Sequence, residues 1–416
     1  MDGDGAPPDI WGGIECTVNR VGGQYRSQFT FSGHGDRVES DLDAFEALGL
    51  SAIRYPVLWE HVQTRTGALD FRGADRAMAH LGRSSMRPIA GLLHHGSGPP
   101  TTDLTDPLFP EKLAGFAAAV ARRYPWVDLY TPVNEPLTTA RFSGLYGHWY
   151  PHAHDDRSFV EMLLAQVRGT VLAMRAIREV NPAAQLIQTE DLGRATGTPR
   201  LQRQVTFENL RRWLSFDLLC GRVVPEHPLY DYLTRRGCAD PATLAWLADN
   251  ACPPDILGIN HYPRSNRWLD DRLSLYARWT HGGNGRLRYA DVAAFDAPAA
   301  DPPTLLSLIQ ETWQTYGIPI ALSEVHVDGD ARTRVAWWLN AIEAADVAIR
   351  RGADVRAVTA WSLLGSFDWD TLCTSTGDRV SYEAGVFELS NGCPRETALA
   401  EAVRATSGVS LVAHTA

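Results

Sequence analysis

The sequence predicts one α/β domain over residues 1–416, folded as a closed (β/α)8 (TIM) barrel with long loop insertions after its strands. Brief apolar runs alternate with longer amphipathic runs, which is typical of βαβ units around a parallel sheet. Eight such units fit into the 416 residues, which favours a closed barrel over an open sheet. The Gly- and Pro-rich stretch 263–303 interrupts the alternation and is predicted to be one loop insertion rather than a linker.

The local patterns define the individual elements. The predicted strands are 10–14, 52–55, 88–93, 129–134, 185–190, 256–260, 318–324 and 357–361. The predicted amphipathic helices are 39–48, 111–123, 159–180, 304–316 and 332–351. A final helix at 395–406 is expected to pack against the outside of the barrel.

Composition and charge argue against several classes of protein. Hydrophobic residues make up 44% of the chain and aromatic residues 9%, which argues against disorder. The formal net charge of −10 argues against nucleic-acid binding. No apolar run reaches the roughly 18 residues that a membrane span needs. The first ten residues lack the basic start and apolar stretch of a secretory signal, so a soluble, cytoplasmic protein is expected.

The cysteines indicate neither a disulfide framework nor a metal site. They are scattered and form no C-x-x-C pair, so no metal site of cysteines is expected. The six are Cys16, Cys220, Cys238, Cys252, Cys373 and Cys393.

The polar residues at the ends of the predicted strands are the candidates for chemistry, because active sites of such barrels lie at the carboxyl ends of the strands. They are Arg54, His94, His95, Asn134, Glu135, Glu190, Asn260, Tyr262 and Glu324, followed by Trp361. Glu135 and Glu324 follow strands four and seven, across the barrel mouth from each other. Such a pair of acids suits the cleavage of one bond between them. For Glu190 we favour a capping or ion-pairing role.

Six segments of the chain resemble those of glycoside hydrolase family 1, the retaining β-glycosidases. TPVNEP at 131–136 is similar to the family's T-x-N-E-P motif, and ALSE at 321–324 to the I-T-E segment that carries the nucleophile. The others are AIRYP with WE at 52–60, GLLHH at 91–95, DILGINHY at 255–262 and WSLLGSFDW at 361–369. Their order and spacing hold from Trp11 to about Phe387, and the resemblance implies the same (β/α)8 fold.

The resemblance implies roles for individual residues. Glu135 would be the general acid and base, and Glu324 the nucleophile that forms a covalent glycosyl-enzyme. No cofactor is expected for this reaction. Arg54 and Tyr262 would hold Glu324 ionised and oriented. Asn134 would contact the sugar 2-OH. The other implied contacts to the sugar come from His94, Asn260, Asp368, Trp369 and Asn19, with Trp361 as an apolar platform.

Departures from the family pattern fall among the residues that would recognise the sugar. Val325 and His326 follow Glu324 where the family has Asn-Gly, and Asp368 stands where it has Glu. The family's first-strand Gln is replaced by Asn19 or Glu15. We therefore expect a different or modified sugar, such as a deoxy or anionic one, or the glycoside of a specialised metabolite.

Other functions remain open from the sequence. The same covalent intermediate would serve a transglycosylase, and a barrel with a changed sugar site could bind sugars without turnover. A metal-dependent hydrolase is disfavoured, because His94 and His95 are neighbours on a strand, where side chains point to opposite faces. One of them, His94, is expected to touch the sugar. The expected partner is a small glycoside or oligosaccharide, with neither nucleic acid nor membrane, and the oligomeric state is open.

Overall fold

The eight predicted strands form a closed parallel barrel, so the predicted fold class is confirmed. A computed structural model describes residues 6–297, 302–377 and 380–408. The barrel strands are β1 (Asp9–Gly13), β2 (Ala52–Pro56), β3 (Arg87–Gly91), β4 (Leu129–Thr131), β5 (Gln185–Asp191), β6 (Ile256–His261), β7 (Ile320–Val325) and β8 (Val355–Ala360). Each strand pairs with its sequence neighbours, and β8 closes the barrel on β1.

Eight helices follow the strands in turn and cover the barrel. They are α1 (Val38–Glu46), α2 (Arg72–Leu81), α3 (Phe109–Arg123), α4 (Asp156–Val180), α5 (Pro241–Asp249), α6 (Leu305–Tyr316), α7 (Ala331–Arg350) and α8 (Ala398–Thr406). Short helices lie in the loops at Gln28–Ser32, Trp59–Val62, Pro136–Ala140, Gln202–Arg211 and Leu214–Leu219.

The final helix begins later than predicted. The hydroxyl of Thr397 accepts a hydrogen bond from the Leu399 N–H and caps the helix there. The residues before it, Cys393–Glu396, form a hairpin with Phe387–Ser390. Two further hairpins pair Val18–Val21 with Gln24–Ser27, and Ser366–Phe367 with Tyr382–Glu383.

One layer of apolar side chains fills the lower interior of the barrel. Every strand contributes one residue, so this part of the barrel is packed, as is usual for the fold. The layer consists of Trp11, Ala52, Ile89, Leu129, Ile187, Ile256, Ala321 and Ala357. The largest side chain of the layer is that of Trp11 on β1. It is in register with the small residue Ala52 on the neighbouring strand β2. On β2 and β7, Arg54 and Glu324 follow the layer residues Ala52 and Ala321 toward the carboxyl ends of the strands.

The stretch predicted to be a loop insertion carries regular structure. Strands Arg267–Asp270, His281–Gly283 and Arg288–Ala293 form a four-stranded sheet with Ala195–Gly197, which lies in the loop after β5. These strands are short and mix polar with apolar residues, so they lack the clear alternation that predicts a strand. Residues 298–301 of the stretch lie outside the described residues. None of the helices in the described ranges is long and apolar enough to cross a membrane.

Candidate active site

The two candidate catalytic carboxylates lie at the carboxyl end of the barrel. Glu324 is the fifth residue of β7, and Glu135 follows β4 by four residues. Both are nearly buried, with 2% of Glu324 and 4% of Glu135 exposed. Burial is the largest influence on both and favours their neutral forms.

Glu324 is held by donors on both carboxylate oxygens. Arg54, on β2, donates from Nη1 to Glu324 Oε1 at 2.7 Å and to the Ser323 carbonyl at 2.8 Å. The hydroxyl of Tyr262, just after β6, donates to Glu324 Oε2. Burial raises the pKa of Glu324 to about 7, and Arg54 and Tyr262 oppose this rise. The arrangement fixes the carboxylate and favours its ionised form over what burial alone would allow.

Glu135 lies in a different setting. Its backbone has a left-handed conformation, with φ of 47°, and its N–H donates to the Thr189 carbonyl on β5 at 3.2 Å. Asn260 Nδ2 donates to Glu135 Oε1 at 2.6 Å, and His95 Nε2 lies 3.6 Å from Oε2. Burial and the nearby carboxylate of Glu324 raise the pKa of Glu135 well above its usual value. Glu135 is therefore protonated more readily than a surface glutamate.

Asn134 links the two halves of the site. Its Oδ1 accepts hydrogen bonds from Arg54 Nη2 and from the Thr189 hydroxyl, both at 2.7 Å. Two donors on one atom identify it as the amide oxygen, so the other atom is the NH2 group. Asn134 Nδ2 lies 3.2 Å from His94 Nε2, which must accept this hydrogen bond. His94 is therefore neutral, with its proton on Nδ1, and burial lowers the pKa of His94 in agreement.

The sequence predicts that His94 and His95 point to opposite faces, as neighbours on a strand do, and this prediction is wrong. β3 ends at Gly91, and His95 has a positive φ of 55°. Both imidazoles consequently approach the Asn134 amide, with His95 Nε2 at 3.5 Å. His95 Nδ1 hydrogen-bonds the Thr139 hydroxyl at 3.0 Å, and burial lowers the pKa of His95 to about 3. His95 thus belongs to the surroundings of Glu135.

Trp361 follows β8 and packs against His94 and Arg54. Its ring lies 5.6 Å from the ring of His94 and nearly parallel to it, and the Arg54 guanidinium lies 4.6 Å from it. The close approach needs a glycine on β1, because a Cβ on Gly13 would lie 2.5 Å from the Trp361 ring. Trp361 therefore belongs to the same buried cluster as the carboxylates.

Of the two candidates that follow β1 in the sequence, Glu15 and not Asn19 joins this cluster. Glu15 Oε1 lies 3.8 Å from His94 Nε2, and its charge influences Glu324. Asn19 lies in the Val18–Val21 hairpin, where Nδ2 donates to the Cys373 carbonyl at 3.1 Å and Oδ1 accepts from the Arg20 N–H at 2.8 Å. Both polar atoms of Asn19 are therefore occupied by backbone groups.

Of Asp368 and Trp369, only Trp369 contacts a residue next to Glu135. The Trp369 ring lies 5.9 Å from that of His95. Asp368 is bound within its own loop, since Oδ1 accepts from the Thr371 hydroxyl at 2.8 Å and Oδ2 from the Ser375 N–H at 2.9 Å. A sugar contact by Asp368 would have to compete with these two hydrogen bonds.

Glu190 has the capping role favoured from the sequence. Its carboxylate accepts hydrogen bonds from the N–H groups of Leu137 and Thr138, at 2.9 and 3.1 Å, at the start of the short helix Pro136–Ala140. This helix directly follows Glu135, so Glu190 fixes the backbone that carries Glu135. The pKa of Glu190 is raised by burial to about 7.

Two hydroxyl groups in the site, those of Thr189 and Ser323, were not predicted from the sequence. Thr189 donates to Asn134, and Ser323 Oγ donates to Asn260 Oδ1 at 2.6 Å, which directs the Asn260 amide nitrogen toward Glu135. Each precedes a strand-end glutamate by one residue. A polar residue at the penultimate position of a buried strand is the signal that could have found them. Across the described ranges, no group of three His, Cys, Asp or Glu side chains is placed to hold a metal ion.

Several solved structures share the fold. A family 1 β-glucosidase from Thermotoga maritima is 15% identical, with a TM-score of 0.74 over 99% of this chain and 100% of that chain. A β-glucosidase from the same organism in complex with noeuromycin is 15% identical, with a TM-score of 0.72 over 91% and 88% of the two chains. The AHE enzyme from Alicyclobacillus herbarius is 17% identical, with a TM-score of 0.72 over 90% and 87%.

No protein-family model matches the sequence. The likeness to the solved structures, at identities of 15–17%, is a likeness of fold. The chain is thus a (β/α)8 barrel of the kind found in family 1 β-glucosidases.

Proposed function

We propose that the protein is a retaining β-glycosidase, with Glu324 as nucleophile and Glu135 as general acid and base. The observation that carries the proposal is the unequal setting of two buried carboxyls. Glu324 receives hydrogen bonds from Arg54 and Tyr262, which favour its anion, whereas the anion of Glu324 disfavours ionisation of Glu135. One ionised and one protonated carboxyl are what the first step of retaining hydrolysis requires.

In the first step, a carboxylate oxygen of Glu324 attacks the anomeric carbon of the glycoside. The bond between that carbon and the leaving oxygen breaks, and Glu135 gives its proton to the leaving oxygen. The product is a glycosyl ester of Glu324 and a free alcohol. Arg54 and Tyr262 lose part of their interaction with the charge of Glu324 as it is neutralised.

In the second step, water attacks the anomeric carbon of the ester. Glu135, now ionised, takes the proton of the water, and the bond to Glu324 breaks to restore the carboxylate. Two displacements at the same carbon return the β-configuration. An acceptor alcohol in place of water would give transglycosylation through the same ester. We further propose that the glycone differs from glucose, because Glu15, one of the two residues that could replace the Gln of the family pattern, lies beside His94 in the site.

Intact-protein mass tests the proposal directly. The protein is incubated with 2,4-dinitrophenyl 2-deoxy-2-fluoro β-glycosides of gluco, galacto and xylo configuration. The panel also contains analogues of these that carry an amine at C3 or C4. Fluorine slows the hydrolysis of the ester, so the protein should gain the mass of one sugar at Glu324. Peptide mapping then locates the label.

Two matched variants separate the roles. Glu324→Gln removes the nucleophile and should gain no mass. Glu135→Gln should still be labelled, because dinitrophenolate leaves without a proton, and its label should persist longer. The proposal fails if the wild-type protein neither gains mass nor hydrolyses any aryl β-glycoside of the panel. It also fails if the label lies on a residue other than Glu324.

A further inference from the structure

Glu15 is a third carboxyl at the bottom of the proposed site. It follows β1 and is 4% exposed. Its Oε1 accepts a hydrogen bond from the Thr17 N–H at 2.9 Å. Burial raises the pKa of the Glu15 carboxyl, and Thr17, the Trp361 indole and the charge of Arg54 oppose this rise. Among the residues that the structure describes, none makes a hydrogen bond to Oε2 within 3.5 Å. The Oε2 atom is not fully buried, so a ligand in the site can reach it.

Among the described residues, no arginine or lysine forms an ion pair with Glu15, and the charge of Arg54 acts on it only without direct contact. His94 is the nearest basic side chain, at 3.8 Å, but its Nε2 accepts the hydrogen bond of Asn134 and carries no proton. Both terminal nitrogens of Arg54 donate hydrogen bonds to other groups, which are Glu324, the Ser323 carbonyl and Asn134. His95 is neutral as well, because burial lowers its pKa to about 3.

The site therefore has an excess of carboxyl groups. The charge of Glu324 raises the pKa of Glu135, and the charge of Glu15 raises the pKa of Glu324, which Arg54 lowers. A buried carboxylate without a partner is costly unless something that binds there supplies a charge or a donor. An anionic sugar, one of the options raised by the sequence, would add to the repulsion.

Building on the proposed function, we propose that the glycone of the natural substrate carries a protonated amine on a ring carbon other than the anomeric one, and that Glu15 binds this amine. An ammonium group has three N–H donors, one of which can bind Glu15 Oε2. Its positive charge also offsets the negative charge of the carboxylates in the site. Glu15 is thus a specificity-determining residue, and the substrate class is the β-glycosides of amino sugars.

The test compares matched substrates on matched variants. The substrates are 4-nitrophenyl β-glucoside and its 2-amino-2-deoxy, 3-amino-3-deoxy and 4-amino-4-deoxy analogues. The proteins are the wild type, Glu15→Gln and Glu60→Gln. Glu60 is a suitable control because its carboxylate also accepts a backbone N–H, that of Gly98 at 3.0 Å, but makes no hydrogen bond to the side chains of the site.

The wild type should hydrolyse one amino-glycoside with a kcat/KM about 10- to 100-fold above that for the glucoside, the span of one charged hydrogen bond. Glu15→Gln should lose this preference, because Gln keeps the bond to Thr17 but lacks the charge. Glu60→Gln should keep it. The inference is overturned if the wild type hydrolyses the glucoside with a kcat/KM equal to that for every amino-glycoside. It is also overturned if Glu15→Gln keeps the wild-type preference.

Binding measurements distinguish this inference from the proposed function. Calorimetry with free 2-, 3- and 4-amino-deoxy glucose and with glucose requires no turnover. Tighter binding of one amino sugar to the wild type supports the role of Glu15 even if no glycoside is cleaved, and equal or absent binding overturns it. Thermal unfolding of Glu15→Gln shows whether the variant is folded, and if it is not, the wild-type preferences alone decide.

Discussion

Arg54 Nη1 donates a 2.7 Å hydrogen bond to Glu324 Oε1, in a pair where the two side chains are only 6% and 2% exposed. Arg54 is the largest influence that lowers the pKa of Glu324 against the effect of burial. The same guanidinium binds Asn134, so one side chain positions groups contributed by β4 and β7.

Replacing Arg54 by Gln should therefore impair both charge and geometry. We expect kcat/KM for aryl β-glycosides to fall by about 10²- to 10³-fold, as when a preorganised donor is removed from an active site. The acid limb of the pH profile should move to higher pH, since Glu324 loses its cation. Steady-state kinetics across pH measures both effects. An unchanged acid limb would show that Arg54 does not set the ionisation of Glu324.

The wild-type pH profile should rise through about pH 7. Activity needs Glu324 ionised, and burial raises its pKa to about 7, so kcat/KM should increase as pH rises through that value. It should decrease again at higher pH, where Glu135 loses its proton. Tyr262→Phe removes a hydrogen bond to the Glu324 anion and should shift the rising limb upward. A rising limb near pH 4.5, the ordinary value for a glutamate, would contradict the account.

Azide should rescue the two carboxylate variants with opposite stereochemistry. In Glu135→Gln, the ester on Glu324 still forms from a dinitrophenyl glycoside, and azide attack on it should release the β-glycosyl azide. In Glu324→Gln, azide would attack the substrate itself and give the α-glycosyl azide. Proton NMR of the products distinguishes them. The same anomer from both variants would contradict the assigned roles.

Glu190→Ala should act at a distance from the chemistry. The N–H groups of Leu137 and Thr138 lose their acceptor, which should cost about 1–3 kcal/mol of unfolding free energy. The charge of Glu190 also contributes to the raised pKa of Glu135. Without it the alkaline limb of activity should move to lower pH. Denaturant unfolding and the pH profile test the two effects separately, and the conservative variant Glu190→Gln should retain more of the stability.

Glu60 should make stability depend on pH. Burial raises its pKa from 4.5 to about 7, and its Oε2 has no hydrogen-bond partner among the described residues. Between these values the folded state binds more protons than the unfolded state, so stability is full below about pH 4.5 and is lost as pH rises through about 7. Glu60→Gln should remove this loss, on the order of 1–3 kcal/mol at pH 8. Equal stability of both proteins at pH 8 would contradict it.

The sequence predicts the barrel and the strand ends well because both depend on local patterns. Arg54 lies within β2 and Glu324 within β7, so their position follows from the strand itself. Predictions for residues beyond a strand are weaker. His95 turns toward Asn134 because its backbone leaves the extended conformation, and a strand pattern does not contain that change.

Loop residues depend on contacts between distant parts of the chain. Asn19 is bound by the Cys373 carbonyl, more than 350 positions away, so no local pattern could decide between Asn19 and Glu15. Asp368 has a positive φ and closes a turn with Thr371 and Ser375, which occupies its carboxylate. The capping role of Glu190 was predictable in kind, but its effect on Glu135 needs the three-dimensional arrangement.

The sheet that Ala195–Gly197 forms with Arg267–Asp270 has a consequence for how such a barrel can be altered. Backbone hydrogen bonds join the loop after β5 to the loop after β6. The two loops must therefore be exchanged together when the barrel is engineered. A chimaera that exchanges only one of them leaves an unpaired strand edge, which favours aggregation. Exchange of both together preserves the ladder, and with it the frame around one side of the barrel mouth.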